Sequence, residues 1–301
     1  MHRRNFIRNT SLVSAAALFG GEKAIASFFK TNAHNIKMLR GNVGIFTERG
    51  GTIGFYLGKD GVAIIDSQFA DTAPHLIDEL KNKNAGPLKF LLNTHHHGDH
   101  SGGNIAFKGM VDHVIAHKNS LVNQTAATTK NNTLDKQLLP DLTFTKKYKL
   151  KLGDEKLKAD YYGPAHTNGD AVYHFEEANV FHTGDLMFNK RHPFVDRTTG
   201  ASISNWIKVL YKIGRKATND SIIIFGHALV PGEETGTKED VKKFQDYLTK
   251  LLAFTEAAIK KGVTKEDFIK NTVIPGVTEW SGQGIERPLG AAYDELVEKK
   301  N

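Results

Sequence analysis

Residues 93–103 read NTHHHGDHSGG. Four of the chain's 14 histidines fall within six positions there, and Asp99 stands among them. Crowded imidazoles gain nothing from one another, so the stretch calls for a ligand. His95 and His97 are two apart, which in extended backbone lets both rings point to one side. Asp99 and His100 are adjacent and point differently. That pairing serves two neighbouring metal positions better than one. Neutral imidazole and carboxylate are the donors that zinc and other first-row divalent ions take. Gly98, Gly102 and Gly103 permit a tight loop. A solvated loop or an affinity tag is the bland reading. A tag would sit at a terminus and would not follow an apolar strand with an aspartate inserted.

The elements that must position these groups are legible in outline. NVGIFTE (42–48), GTIGFYLG (51–58) and GVAIIDS (61–67) read as three strands, the last two joined across GKDG. TAPHLIDELKNK (72–83) is an amphipathic helix with Pro74 near its first turn, and LKFLLN (88–93) is a buried strand that delivers the histidines. A strand over 111–117 and a helix over 118–129 follow. Strands are then expected at 145–151, 156–163, 171–177 and 179–184, a helix at 203–216, and a last strand at 221–227 that runs into His227. From Lys238 onward the pattern is helical, with further helices near 264–270 and 286–299. Two β-rich halves, each followed by helices, predict an α/β sandwich with its helices outside.

Bulk composition narrows the function. The chain has 301 residues, 40 % of them hydrophobic and 24 % charged, as in an ordinary soluble enzyme. It contains no Cys, which excludes disulfides, thiolate ligands and a Cys nucleophile. The net charge of +7 is spread along the chain rather than gathered in a basic patch, so no nucleic-acid partner is expected. No segment past the N-terminus reaches the length of a membrane span. The N-terminal MHRRNFIRNTSLVSAAALFG, followed by AIAS at 24–27, resembles a twin-arginine export signal. Residues 1–26 are therefore expected to direct export, giving a periplasmic or secreted protein.

H-x-H-x-D-H after a strand, met here by His95, His97, Asp99 and His100, resembles the signature of the metallo-β-lactamase superfamily. Further elements of that family's pattern occur in order. GPAHTNGD (163–170) offers His166, FHTGDLMF (181–188) offers Asp185, IIFGHALV (223–230) offers His227, and AIIDSQ (63–68) offers Asp66. The resemblance covers about residues 40–235. It implies an αββα sandwich over residues 38–236, with a helical C-terminal extension, 237–301, packed on the same domain. It implies two zinc ions: His95, His97 and His166 on one, Asp99, His100 and His227 on the other, and Asp185 bridging. Asp99 and His227 would also serve catalysis. The implied reaction is hydrolysis of an ester, thioester, lactone or amide, β-lactams among them, by a metal-bridging hydroxide acting on a small-molecule substrate. A persulfide dioxygenase-like oxidoreductase holding one Fe2+, or a metal-binding module without turnover, stays open, as does the oligomeric state.

Other residues receive lesser roles. Asp66 reads as a support behind the ligands, His182 as packing, and His96 as a structural member of its loop. Asp170 either caps a turn or supports His166. The loop NKRHPFVDRTTGAS (189–202) could roof the pocket, with His192 and Arg197 binding an anionic substrate group, or could be a solvated basic loop.

Overall fold

The computed structural model describes residues 34–83 and 86–299. The export-signal expectation for residues 1–26 falls outside the described residues. The first half runs β1 (Asn35–Arg40), β2 (Val43–Thr47), β3 (Ile53–Gly58), β4 (Gly61–Ile65), α1 (Ala73–Asn82), β5 (Leu88–Asn93), the short α2 (Gly98–Ser101), β6 (His113–His117), α3 (Lys118–Lys130) and β7 (Leu142–Phe144). The second half runs β8 (Lys147–Leu152), β9 (Glu155–Tyr161), β10 (Ala171–Phe175), β11 (Val180–His182), β12 (Phe188–Asn189), α4 (Ile203–Lys216), β13 (Ile222–Ile224), β14 (His227–Ala228), β15 (Thr235–Gly236), α5 (Lys238–Lys260), α6 (Lys265–Phe268) and α7 (Glu286–Glu298).

Strands β1 to β7 form one sheet in sequence order, and a second sheet runs β15-β13-β11-β10-β9-β8. The faces between them share one apolar cluster that includes Ile45, Ile65, Leu92, Tyr173, Phe175 and Ile224. On the outer face of the first sheet, Phe55, Ile64 and Leu91 meet Leu76, Ile77 and Leu80 of α1. On the outer face of the second, Phe181 and Ile223 meet Trp206 and Leu210 of α4, Phe244 and Leu248 of α5, and Leu289 of α7. The architecture is therefore an αββα sandwich. Helices α5 and α7 share their apolar cluster with α4.

Local chemistry explains the elements. Helix α1 buries Ala73, Leu76, Ile77 and Leu80, one stripe at 3.6-residue spacing. Helix α5 starts at a capping box in which Thr237 and Asp240 satisfy each other's backbone N–H groups. Among the described residues no helix is long and apolar enough to cross a membrane.

The topology that matters for the site is parallel pairing. β4 and β5 run side by side, with Ile65 opposite Leu92. β11 and β13 do the same, with His182 opposite Ile224. Polar residues that follow these strands therefore emerge together at the carboxyl ends, where open α/β sheets place their ligands. The expected strand over 221–227 divides here into β13 and β14. The break falls at Phe225-Gly226, where a Cβ on Gly226 would lie 2.1 Å from Asp185 Oδ1. The chain passes against that carboxylate and then turns His227 toward it. Strands β1 and β7 went unread in the sequence; β1 is half-exposed and lysine-bearing, and β7 has only three residues.

Candidate metal centre

The loop after β5 places the first donors. His95 is buried, and His97 adopts extended backbone just before α2, whose first turn carries Asp99 and His100. Of the three loop glycines, Gly103 is the one the packing demands, since a Cβ there would lie 2.1 Å from the Ser67 carbonyl oxygen; at Gly98 it would meet open space.

His95, His97, His166 and Asp185 form one group, and Asp99, His100 and His227 another, the donor atoms in each lying within 4.8 Å of one another. In the first group His95 Nε2 is 3.1 Å from His97 Nδ1, which is 3.0 Å from His166 Nε2. In the second, His227 Nε2 is 3.1 Å from Asp99 Oδ2 and 3.4 Å from His100 Nε2. Asp185 divides its carboxylate between them. Its Oδ2 faces His166 at 3.5 Å and His95 at 4.0 Å, while its Oδ1 faces His100 at 2.9 Å and His227 at 3.4 Å.

The supporting hydrogen bonds show what this set fits. His166 Nδ1 donates to the Phe194 carbonyl oxygen, so its Nε2 carries a lone pair. His97 Nε2 faces Asp196 Oδ2 at 3.1 Å, which leaves its Nδ1 bare. Thr94 Oγ1 donates to Asp66 and so accepts from His95 Nδ1, which leaves His95 Nε2 bare as well. Three lone pairs thus face one another at hydrogen-bond distance with no proton between them. That arrangement repels unless a cation sits among the three. Asp185 Oδ1 is buried without an aligned hydrogen bond, as a carboxylate oxygen reserved for a cation would be. The residues present fit divalent metal ions.

Electrostatics agree. Burial drives His95 well below the ordinary imidazole range, and drives His166 down to about 3, so both stay neutral and ligand-competent. Burial also opposes charge on His100 and His227, but the carboxylates win. Asp185 and Asp66 hold His100 well above its ordinary value, and Asp185 with Asp99 lifts His227 to about 9. Burial pushes Asp99 up, yet its hydrogen bond to His227 and the charge on His100 hold it at about 2. In the metal-free chain the second group thus supplies its own positive charge opposite Asp185.

Asp66 stands behind the ligands. Its backbone is left-handed, with φ 67°. Its carboxylate accepts from Thr94 N and Thr94 Oγ1 and meets His100 Nδ1, each at 2.7 Å. Strain of this kind persists where the surroundings over-determine it. Asp170 accepts from Thr167 N and Thr167 Oγ1, fixing the residue beside His166. His96 Nε2 lies 3.5 Å from Asp196 Oδ2, in that loop's own network. His182 belongs to neither group. It donates from Nε2 to the Thr52 carbonyl oxygen at 3.0 Å and accepts from Gly184 N at 3.2 Å, holding the turn that presents Asp185. Its reading as packing missed that role, which no spacing signals.

A cavity of about 430 Å3 opens over both groups. His192 lines it, with Nδ1 3.0 Å from the Tyr247 hydroxyl. Arg197 does not line it. The expected anion-binding role at Arg197 gives way to a structural one: the guanidinium bonds to the Ala201 carbonyl oxygen and pairs with Glu298 and Glu295 of α7. Cavity-lining Arg287, Gln283 and Gly284 went unread in the sequence, because their segment lacks any spacing that ties it to the histidines.

Fold and donors define a class: an αββα protein that gathers two facing sets of side chains able to hold metal around one shared carboxylate. Residues 46–255 match the family model of the metallo-β-lactamase superfamily, and the chain belongs to that superfamily. A probable hydroxyacylglutathione hydrolase of Schizosaccharomyces pombe is 33 % identical over 131 residues, which cover 42 % of this chain and 44 % of that protein. The metallo-β-lactamase IND-1 of Chryseobacterium indologenes is 24 % identical over 172 residues, 56 % of this chain and 68 % of that one. The chain thus spans under half the length of the first relative. Among solved structures, the sec-alkylsulfatase Pisa1 from Pseudomonas sp. shares the fold with a TM-score of 0.69 at 15 % identity, over 89 % of this chain and 51 % of that one.

Proposed function

We propose that this chain is a hydrolase dependent on two zinc ions, cleaving an ester, thioester, lactone or amide bond in a small substrate. The observation that carries the reading is the divided carboxylate of Asp185, one oxygen toward each donor set. His95, His97 and His166 would hold one ion, Asp99, His100 and His227 the other, and Asp185 both. Bound there, the ions supply a water of lowered pKa and a Lewis acid for the target oxygen. The chain's own residues do the rest. Asp66, Asp196 and the Phe194 carbonyl fix ring orientation and tautomer at His100, His97 and His166. Phe188 and Phe194 give the cavity wall its apolar surface. Asp99 is one-third exposed at the cavity floor, placed to accept a proton from a group bound above it. The names of the S. pombe and C. indologenes relatives support hydrolysis as the reaction class. Export across the inner membrane, proposed from Arg3-Arg4 and the apolar stretch after them, accords with a folded, metal-loaded cargo.

The test is elemental analysis of the purified chain, followed by a panel of esters, thioesters, lactones and β-lactams with and without chelator. Two equivalents of zinc and chelator-sensitive turnover are expected. Metal bound with no turnover of any member would overturn the hydrolase reading. A single iron with oxygen uptake would overturn the zinc assignment.

A further inference from the structure

Two segments far apart in sequence meet at the mouth of the cavity. One is the loop after Asp185, which brings Arg191 and Phe194. The other is the turn that leads into α7 and that helix's first turn, which bring Gln283 and Arg287. The second lies beyond residue 255, where the family match ends. Hydrogen bonds and a short bridge hold the two together. Ser281 N donates to the Lys190 carbonyl oxygen at 3.0 Å, Arg191 and Ser281 form a parallel bridge, and Trp280 Nε1 donates to the Phe188 carbonyl oxygen at 3.1 Å. Gly282 and Gly284, at φ 90° and 94°, turn the chain there and lead into α7, whose first turn carries Arg287.

The charges on this rim are poorly matched from within. Lys190 pairs with Glu233, and Arg197 pairs with Glu298. Arg191 has no ion-pair or hydrogen-bond partner for its guanidinium among the described residues. Arg287 has only its neighbour Glu286, at 3.9 Å. Glu286 lines the cavity too, so the rim sets two guanidinium groups against one carboxylate and leaves Arg191 to meet an anion from outside. A guanidinium matches a carboxylate with two parallel N–H donors, and the Gln283 amide adds a further donor. Phe194 provides an apolar surface beside them. It is 43 % exposed, its ring stands 5.6 Å from that of His97, and its carbonyl is held by His166.

We propose that Arg191 and Arg287 form a carboxylate-binding rim, so that the preferred substrate carries a carboxylate and an apolar group on the same side of its scissile bond. This rests on the hydrolase reading above. The test compares two para-nitrophenyl esters of equal acyl length on the zinc-loaded full chain: the neutral pentanoate and the anionic monoglutarate. The wild type is expected to prefer the monoglutarate by about tenfold or more in kcat/KM, with the preference narrowing as salt rises. Arg191→Ala combined with Arg287→Ala should remove that preference through KM. Arg191→Lys with Arg287→Lys, which keeps the charge, should retain part of it and covers the case in which the alanine variant fails to fold. An unchanged ratio in the alanine variant, or no preference in the wild type, overturns the rim. If neither ester is turned over, the hydrolase reading is decided separately by the wider panel above. Calorimetry with glutarate then decides the rim: weaker binding to the double variant supports it, and equal binding overturns it.

Discussion

Asp66 and His100 stand 34 positions apart, and their side chains meet at 2.7 Å with both fully buried. The carboxylate accepts a hydrogen bond from Nδ1 and so fixes the ring with Nε2 toward Asp185. Asp66→Asn keeps the shape but removes the charge and can present an amide N–H to Nδ1. Zinc affinity of the second position should fall about 10- to 100-fold, as is usual when a ligand's supporting carboxylate is lost. Competition with a fluorescent chelator measures it. Two equivalents binding with wild-type affinity would show that Asp66 does not set the ring.

His182 and Asp185 are three residues apart with opposite expected behaviour. His182→Ala removes a bond to Thr52 and the anchor for Gly184, so thermal stability should fall by about 2–3 kcal/mol. At saturating zinc the bound equivalents should not change. Asp185→Ala should instead lower occupancy of both positions, because each set faces one of its oxygens. Metal analysis of the two purified variants separates them, and depletion in His182→Ala would make that residue a ligand.

Gly226 predicts the sharpest steric effect. A methyl group there meets Asp185 Oδ1 at 2.1 Å and the Gly184 carbonyl carbon at 2.6 Å. Neither neighbour is the loose end of a flexible chain. Gly226→Ala should therefore displace the shared carboxylate and reduce zinc content, with destabilisation of about 1–3 kcal/mol. Full zinc content in a normally folded variant would show that β13 can shift away at little cost.

These cases show why parts of the site were readable and others were not. The residues that converge could be read because metal chemistry restricts residue type: in a chain without Cys imidazoles and carboxylates are the donors to look for, and His95, His97, Asp99 and His100 fall within one loop. Asp66 could be read because it follows an apolar strand. Sheet order was hidden, yet it is the parallel pairing of β4 with β5 and of β11 with β13 that brings Asp66 to Thr94 and Asp185 to Gly226. Arg197 illustrates the opposite error. A cation in a polar loop has no spacing that distinguishes substrate contact from a bond to a helix 100 residues away. Arg287 sits in the first turn of such a helix and gave no signal for the same reason.

That helix contact is itself testable. Glu295 of α7 is buried, and its carboxylate accepts from Ile203 N at 2.6 Å and Ser204 N at 3.0 Å, closing the start of α4, while Lys299 pairs with it at 2.7 Å. Glu295→Ala leaves these backbone donors without partners and should cost about 3 kcal/mol, read from denaturant midpoints. Burial opposes the charge on Glu295, but Lys299 and the α4 donors outweigh it and hold the carboxyl below its ordinary 4.5. A depressed acid stabilises above its unfolded value and loses that contribution as pH falls through the folded one. The difference between wild type and Glu295→Ala should thus be full near neutrality and shrink below pH 4.5. A constant difference down to strong acid would rule out the charged form as the source.

His174 gives the reverse test, away from the metal centre. Its ring stacks on Phe181 at 3.8 Å, and its Nε2 is buried without a hydrogen-bond partner among the described residues. Burial lowers it from 6.5 to about 4. Folding therefore favours the neutral ring, and the unfolded chain binds the proton first. Stability is full above pH 6.5 and declines as pH falls toward 4, by about 1–2 kcal/mol after allowance for its partial exposure. His174→Phe preserves the stacking and cannot take the proton. Between pH 7 and 4.5 the variant should lose less stability than the wild type by that amount, measured as the change in urea midpoint. Parallel pH profiles for the two proteins would mean that the imidazole reaches water in the folded state.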